Sequence, residues 1–316
     1  MTTFPIPADR EAWHALRAQH IGASEVAALF GAQPDYAPGL YALWHVKAGR
    51  TPRDEVDNPR VEWGLRLEEA IAAGAAERGG WDVRPGVYAS LDGLGATLDR
   101  IIAAPGPEER EAGLAGPGVL ELKNSDWLNH RRTWGDEPPL HILLQLQAQL
   151  LATGYGWGAV AVLVGGNDLR LYRYRPRPKV QGEIARRVAA FWDSIRRGKP
   201  PEPDGSASAF RTIQQMHPEV QDEPAELDDD NEAPVLAAEV LALAAQRKEI
   251  ERQEAECKAQ LLAKLGDHRW AKVRGFRISQ AITPAKPPVQ IVPEMIGQTL
   301  PGRAESRRLI ISARDA

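Results

Sequence analysis

Residues 94–123 read LGATLDRIIAAPGPEEREAGLAGPGVLELK, and the fold turns on how this stretch divides. LGATLDRII (94–102) reads as one strand with Asp99 in its middle, and GVLELK (118–123) as a second. The Pro/Gly-rich stretch 104–118 between them reads as a loop. Side chains alternate along a strand, so Glu121 and Lys123 share one face of the second strand while Leu120 and Leu122 take the other. A carboxylate among apolar neighbours is costly unless it is partnered, so Asp99 calls for a partner. Upstream, Glu68 precedes Ile71, Ala72 and Ala75 by three, four and seven residues. That spacing places it on the apolar stripe of a helix over 62–78 and points it inward.

Three carboxylates and a lysine facing one pocket suit a hard divalent cation. Mg²⁺ takes carboxylate and water oxygens in octahedral geometry, so Glu68, Asp99 and Glu121 are read as ligands of Mg²⁺, with Mn²⁺ able to substitute. Such an ion lowers the pKa of its water, and Lys123 then orients the attacking hydroxide or stabilises developing charge. Glu-x-Lys triplets occur in many strands by chance; the weight comes from Asp99 and Glu68 standing in order before it.

Outward from this stretch, helical and strand patterns alternate over residues 1–200. VRPGVYAS (83–90), WGAVAVLV (157–164) and DLRLYRYR (168–175) read as strands, the last two joined as a hairpin by Gly165-Gly166-Asn167-Asp168. Helices are expected at 140–152, where Leu140, Leu143, Leu144, Leu150 and Leu151 form a stripe, and at 180–197. The expected class is α/β: a central mixed sheet flanked by helices. Domain boundaries are drawn at 1–204 for this core, 205–233 for a linker ending in the acidic run Glu226 to Asp230, and 234–316 for an accessory region. The last begins with a helix over 234–265, striped by Leu236, Val240, Leu243, Ile250, Cys257 and Leu261 and interrupted by Arg247 and Glu254. It continues with the β-like pieces FRISQAI (276–282) and RRLIISA (307–313).

Composition bounds the rest. Of 316 residues, 43% are hydrophobic, enough for a packed core, and the one cysteine, Cys257, excludes a disulfide framework or a cysteine-built zinc site. His14, His20, His45, His130 and His141 lack zinc spacing and read as surface or packing residues. The opening MTTFPIPADREAW lacks the pattern of a secretory signal, and no apolar run approaches a membrane span, so no membrane association is expected. Net charge is −4, which argues against a general nucleic-acid coat. A basic cluster, Arg170, Arg173, Arg175, Arg177 and Lys179, reads equally as a DNA-facing surface or as a guarded strand edge. Ser24 reads as the N-cap of a short helix ending at Gly31. Helix N-termini bind phosphate, and Arg17 lies within reach to add a contact. Trp13, Trp44, Trp63 and Trp127 read as packing residues, with Trp127 the best exception.

Helix, strand with Asp, strand with Glu-x-Lys and helix with Gln is the order of the PD-(D/E)XK nuclease core. The chain resembles the YqaJ-type viral recombinases and the phage lambda exonuclease family from about Trp13 to Pro201. The resemblance rests on Trp13 to Arg17, IGASEVAALFG (21–31), YALWHVKAG (41–49), WGLRLEEAI (63–71), LGATLDRII, VLELKNS (119–125), LLQLQAQLLATG (143–154) and VAVLVGG (160–166). One departure stands out: the family usually has Pro-Asp-Gly where this chain has Leu98-Asp99-Arg100.

The resemblance implies a PD-(D/E)XK restriction-endonuclease-like core with a C-terminal helical extension. It implies metal ligation by Glu68, Asp99, Glu121 and the backbone carbonyl of Leu122, and a catalytic Lys123. The family's glutamine falls on Gln145, whereas helical spacing alone favours Gln147, which equally suits a helix-to-sheet hydrogen bond; Gln145 is preferred. Arg17 and Ser24 fall where the family grips the 5′ phosphate of a DNA end. The implied activity is 5′-to-3′ exonucleolysis of double-stranded DNA in phage-type recombination, by a ring-shaped homo-oligomer, a trimer. It would leave a 3′ tail for a single-strand annealing protein, in the cytoplasm of a bacterial or phage-infected cell. Two alternatives stay open: a structure- or site-specific endonuclease on the same fold, and a non-catalytic DNA-binding or scaffold protein.

Overall fold

The computed structural model describes residues 1–7, 9–52, 59–219, 223, 229–285, 289–290, 299–300 and 306–313. The chain forms two compact units, Met1–Val220 and Gln221–Ala316. The strands of the first are β1 (Thr2–Phe4), β2 (Ile21–Gly22), β3 (Asp82–Pro85), β4 (Tyr88–Leu91), β5 (Leu94–Thr97), β6 (Arg100–Ala104), β7 (Gly118–Ser125), β8 (Gly158–Val164) and β9 (Asp168–Tyr174). Its helices are α1 (Arg10–Ala18), α2 (Leu40–Lys47), α3 (Pro59–Gly79), α4 (Pro107–Glu111), α5 (Trp127–Thr133), α6 (Leu140–Thr153), α7 (Pro178–Arg196) and α8 (Ala207–Met216), with a 3-10 helix over Ala23–Phe30.

The main sheet runs β3-β6-β7-β8-β9, with β7 and β8 parallel and the remaining pairs antiparallel. β8, GAVAVLV, lies between two strands and between two layers of helix, which is why it is an unbroken apolar run without alternation. On one face of the sheet Leu120, Leu122, Ala159 and Ala161 pack with Ile71, Ala72 and Ala75 of α3. On the other, Val119, Val160 and Val162 pack with Leu144, Leu146 and Ala148 of α6 and with the 3-10 helix. α6 stops at Gly154, whose φ of 70° suits a residue without Cβ. The expected α/β class, a mixed sheet flanked by helices, is what the chain forms.

Two of the expected strands are each divided between two sheets. LGATLDRII gives β5, which joins a small sheet of order β1-β4-β5-β2, and β6, which joins the main sheet. VRPGVYAS divides likewise into β3 and β4. The two crossings touch: the Leu98 N–H donates to the Val87 carbonyl at 3.0 Å. A Cβ at Gly86 would lie 1.7 Å from the Leu98 oxygen, so only glycine allows the backbones this close. Asp99 is therefore not in mid-strand; it sits at the bend where the chain changes sheets.

The stretch expected as linker also differs. Within it, α8 is capped by the Ser206 side chain, which accepts from the Ala209 N–H, and is held at α2 by a bond from the Gly39 N–H to the Ser208 hydroxyl. Ala209 and Thr212 are buried there. Of the acidic run, Glu226 to Asp228 lie outside the described residues.

In the second unit α9 (Ala233–Leu265) is followed by β10 (Trp270–Val273), β11 (Phe276–Thr283), β12 (Val289–Gln290), β13 (Thr299–Leu300) and β14 (Ser306–Ala313). β10, β11 and β14 form an antiparallel sheet with β11 in the centre. The stripe residues Leu236, Val240, Leu243 and Ile250 of α9 are all more than half exposed. No described helix is long and apolar enough to cross a membrane.

Candidate active site

Glu121 is the buried centre of the site. It faces the α6 side of the main sheet, as period two requires, and is only 1% exposed. A buried carboxylate must have its oxygens satisfied, and here both are. Oε1 accepts from Gln145 Nε2 at 2.6 Å and pairs with the Lys123 ammonium. Oε2 accepts from Gln149 Nε2 at 2.6 Å. Gln145 also accepts from Lys123 through Oε1 at 3.3 Å. Lys123 reaches outward, with its side chain 30% exposed. Burial works against its charge, but the carboxylates of Glu121 and Asp99 outweigh that, and its pKa is raised.

Asp99 is brought to the same strand by its bend. Its Oδ2 accepts from the Leu122 N–H at 2.7 Å. Burial and then the Glu121 charge push its carboxyl up to about 8, against the pull of Lys123 and the Leu122 hydrogen bond. Glu68 is half-buried on α3, the helix of the opposite sheet face. Burial raises its carboxyl too, opposed by Arg100 and reinforced by Glu121. Glu68 thus lies within electrostatic reach of the site, and no hydrogen bond ties it to Glu121 or Asp99 among the described residues. Arg100 donates to the Asp99 carbonyl at 2.7 Å and to Glu69 at 2.6 Å.

Among the described residues no three Asp, Glu, His or Cys side chains stand close enough to form a cage by themselves. The donor set nonetheless fits Mg²⁺, which needs only one or two carboxylates beside its waters. Burial raises both carboxyls, against the opposing charges of Lys123 at Asp99 and of Arg100 and Lys123 at Glu68, and a bound cation would relieve that cost. Asp99, Glu121 and the Leu122 carbonyl would hold the ion, with Glu68 contributing from α3.

Sequence reasoning missed several neighbours. Gln149 is fully buried and holds Glu121 as directly as Gln145 does. The signal available was its spacing of four from Gln145, which puts both on one helix face. Gln147 points away, bonding the Arg175 carbonyl and the Arg177 N–H, the helix-to-sheet role weighed for it. His141, read as a surface or packing residue, is half-buried at the site, and burial and then Lys123 lower its pKa. Tyr36 lies within electrostatic reach of Lys123 and is exposed.

A second cluster surrounds the N-terminus of the 3-10 helix. The cap there is Gly22 and not Ser24, because the Glu25 side chain turns back to accept from the Gly22 N–H at 2.8 Å. Ser24 lies exposed in the first turn. Glu25 also pairs with Arg17 at 3.3 Å and with Lys47 at 2.8 Å, and Lys47 donates to the Arg17 and His20 carbonyls. Arg17 stacks 4.6 Å over Trp13. The structure therefore brings Arg17 to the same helix terminus as Ser24, with Glu25 as the internal counter-charge.

Trp44 is core, whereas Trp63 and Trp127 are both more than half exposed, Trp63 with the Arg66 guanidinium over its ring. Of the basic cluster at 170–179, Arg170 and Arg173 lie on β9, an edge strand, and Arg175 directly follows it. Arg170 pairs with Asp168 and Arg173 with Glu108 and buried Glu109, while Arg175 bonds the Ala112 carbonyl. These three serve the structure as a guarded edge.

The fold that carries this cluster is α/β, a mixed sheet flanked by helices. The resemblance read from the sequence blocks is borne out: residues 12–156 match the model of the YqaJ-like viral recombinase domain. Among solved structures, an alkaline exonuclease from Laribacter hongkongensis is similar at 20% identity over 60% of this chain and 93% of that one, with a TM-score of 0.49. A phage-related exonuclease from Haemophilus somnus is similar at 10% identity over 60% and 88%, TM-score 0.37. A putative exonuclease from Eubacterium rectale is similar at 9% identity over 72% and 98%, TM-score 0.39. No curated protein matches the chain.

Proposed function

We propose that this chain is a metal-dependent deoxyribonuclease that digests double-stranded DNA from its ends, 5′ to 3′, in phage-type recombination. The observation that carries the reading is the buried Glu121 held beside a charged Lys123, with Asp99 bent onto the same strand by the Leu122 N–H. Apolar packing explains none of these three. Held by Asp99, Glu121 and the Leu122 carbonyl, Mg²⁺ would supply Lewis acidity to the scissile phosphate and its attacking water. Gln145 and Gln149 fix both oxygens of Glu121, so that its carboxylate keeps one orientation. Lys123, kept protonated by its two carboxylates, offers positive charge to a phosphate in the open side of the pocket rather than acting as a base.

Arg17 and the N–H groups around Ser24 are proposed to hold the 5′ phosphate of the end, Arg17 exchanging Glu25 for phosphate. Charge-assisted and bidentate contacts of this kind are strong, so Arg17 should decide end preference. A 5′-phosphorylated linear duplex is expected to be digested faster than its 5′-hydroxyl twin, and Arg17→Ala should erase that difference more than it lowers the hydroxyl rate. Equal wild-type rates on both ends would count against the pocket. Polarity is tested on the same duplex labelled at each end in turn. Early release of the 5′ label with late loss of the 3′ label is expected, and the reverse order would overturn the assignment. A trimeric ring and an annealing partner remain part of this reading through the family resemblance.

A further inference from the structure

The β10–β11 hairpin of the second unit has a charge pattern opposite to that of the whole chain. From His268 to Arg277 there are four Arg or Lys residues and no Asp or Glu, in a chain of net charge −4. Arg269, Lys272, Arg274 and Arg277 are all exposed. Among the described residues none of the four has an ion-pair partner, unlike Arg170 and Arg173 of the first unit. Cations gathered on one short segment repel one another, and a bound anion would offset that cost.

The register arranges them. Trp270 and Lys272 alternate onto one face of β10, and Lys272 is paired with Arg277 and Trp270 with Ser279 across the ladder. Ile278, on the other face, is buried, whereas Trp270, Lys272 and Arg277 are all exposed on theirs. The Arg277 guanidinium lies 4.9 Å over the Trp270 ring, and Trp270 is still 46% exposed. Arg274 sits in the tight turn, where Gly275 takes φ 78°. The hairpin is anchored by Gln280, whose backbone N–H donates to the Arg269 carbonyl and whose side chain donates to the Gly266 carbonyl.

An aromatic ring flanked by exposed cations on a strand face is a stacking platform with phosphate contacts on either side, the chemistry that holds unpaired bases and their backbone. We infer that the β10–β11 hairpin is a nucleic-acid site carried by the second unit's own residues, that it binds single-stranded nucleic acid, and that Trp270 stacks on a base while Lys272, Arg274 and Arg277 meet phosphates. Duplex is disfavoured because its bases are already stacked and leave Trp270 no partner.

The test is binding by the full-length protein in EDTA, so that it does not depend on cleavage or on the catalytic reading. Fluorescence anisotropy is followed with a labelled oligothymidylate and with a blunt duplex of the same length, across a salt series. Replacing Lys272, Arg274 and Arg277 together by Ala is expected to weaken oligothymidylate binding at least about tenfold. It should also flatten the slope of log affinity against log salt by about 2, at roughly 0.7 for each phosphate left unneutralised. Trp270→Ala is expected to weaken it about fivefold or more, with Trp270→Phe largely restoring it. Because the triple variant alters both strands, Arg274→Ala alone, in the exposed turn, supplies a check that leaves the ladder intact, with an expected slope change of about 0.7. Unchanged affinity and slope in the triple variant and in Arg274→Ala would overturn the site. Equal losses on duplex and single strand, with no effect of Trp270→Ala, would overturn the single-strand assignment.

Discussion

Asp99→Asn is expected to lower DNA cleavage by at least about 10³-fold, the scale of losing a group that stabilises charge in a transition state. The same substitution should make the metal-free protein more heat-resistant at pH 8. Burial and the Glu121 charge raise the Asp99 carboxyl to about 8 in the folded chain, from an ordinary value near 3.8. A carboxyl raised on folding favours the fold fully below its unfolded pKa, and that contribution is lost as pH climbs through the folded one. Asn carries no charge at any pH, and its oxygen still accepts the Leu122 N–H. The gain in Tm over the parent, measured in EDTA, should therefore be largest at and above pH 8 and absent below about pH 4. Functional sites often hold such unfavourable groups, which metal binding would relieve. Full cleavage by Asp99→Asn would remove this residue from the site, and a Tm gain that grows toward low pH would contradict the account of its charge.

Lys123→Ala is the second large effect. Its ammonium is held protonated by Glu121 and Asp99, so the loss is that of a fixed positive charge, expected at roughly 10²- to 10³-fold in rate. A lysine acting as a base would show a rate rising with pH as it deprotonates. Here the parent enzyme should show no rise assignable to Lys123 between pH 7 and 9, and Lys123→Arg should recover part of the activity. Metal affinity, followed by isothermal titration with Mn²⁺, should fall little in Lys123→Ala, whereas it should fall strongly in Asp99→Asn. A Lys123→Ala enzyme within a few-fold of the parent rate would contradict its role.

Much of this site is legible in the sequence because strand period is rigid. Glu121 and Lys123 share a face wherever the strand lies, and Leu120 and Leu122 then go to α3. Asp99 is legible as a carboxylate in an apolar run, but its bend is not. The change of sheet at Leu98–Asp99 depends on the close approach of Gly86, a contact between segments that no local pattern encodes. Gln149 is hidden among leucines and alanines of α6, where a buried glutamine looks like any helix residue until Glu121 stands opposite it. The cap at Gly22 is set by Glu25 reaching back, while Ser24 offers the more familiar capping side chain and draws the reading two residues too far. Charge clusters read least well of all. Arg170–Lys179 and Arg269–Arg277 look alike as strings, and the partners Asp168, Glu108 and Glu109 separate a guarded strand edge from a face with no ion pair among the described residues.

The central claim, metal-dependent digestion of DNA from its ends, is tested most directly by incubating linear duplex and covalently closed circular DNA with the full-length protein, each in Mg²⁺ and in excess EDTA. The account predicts loss of the linear duplex in Mg²⁺ alone and an intact circle in both. Cutting of the closed circle, or equal digestion of the linear duplex in EDTA, would contradict it.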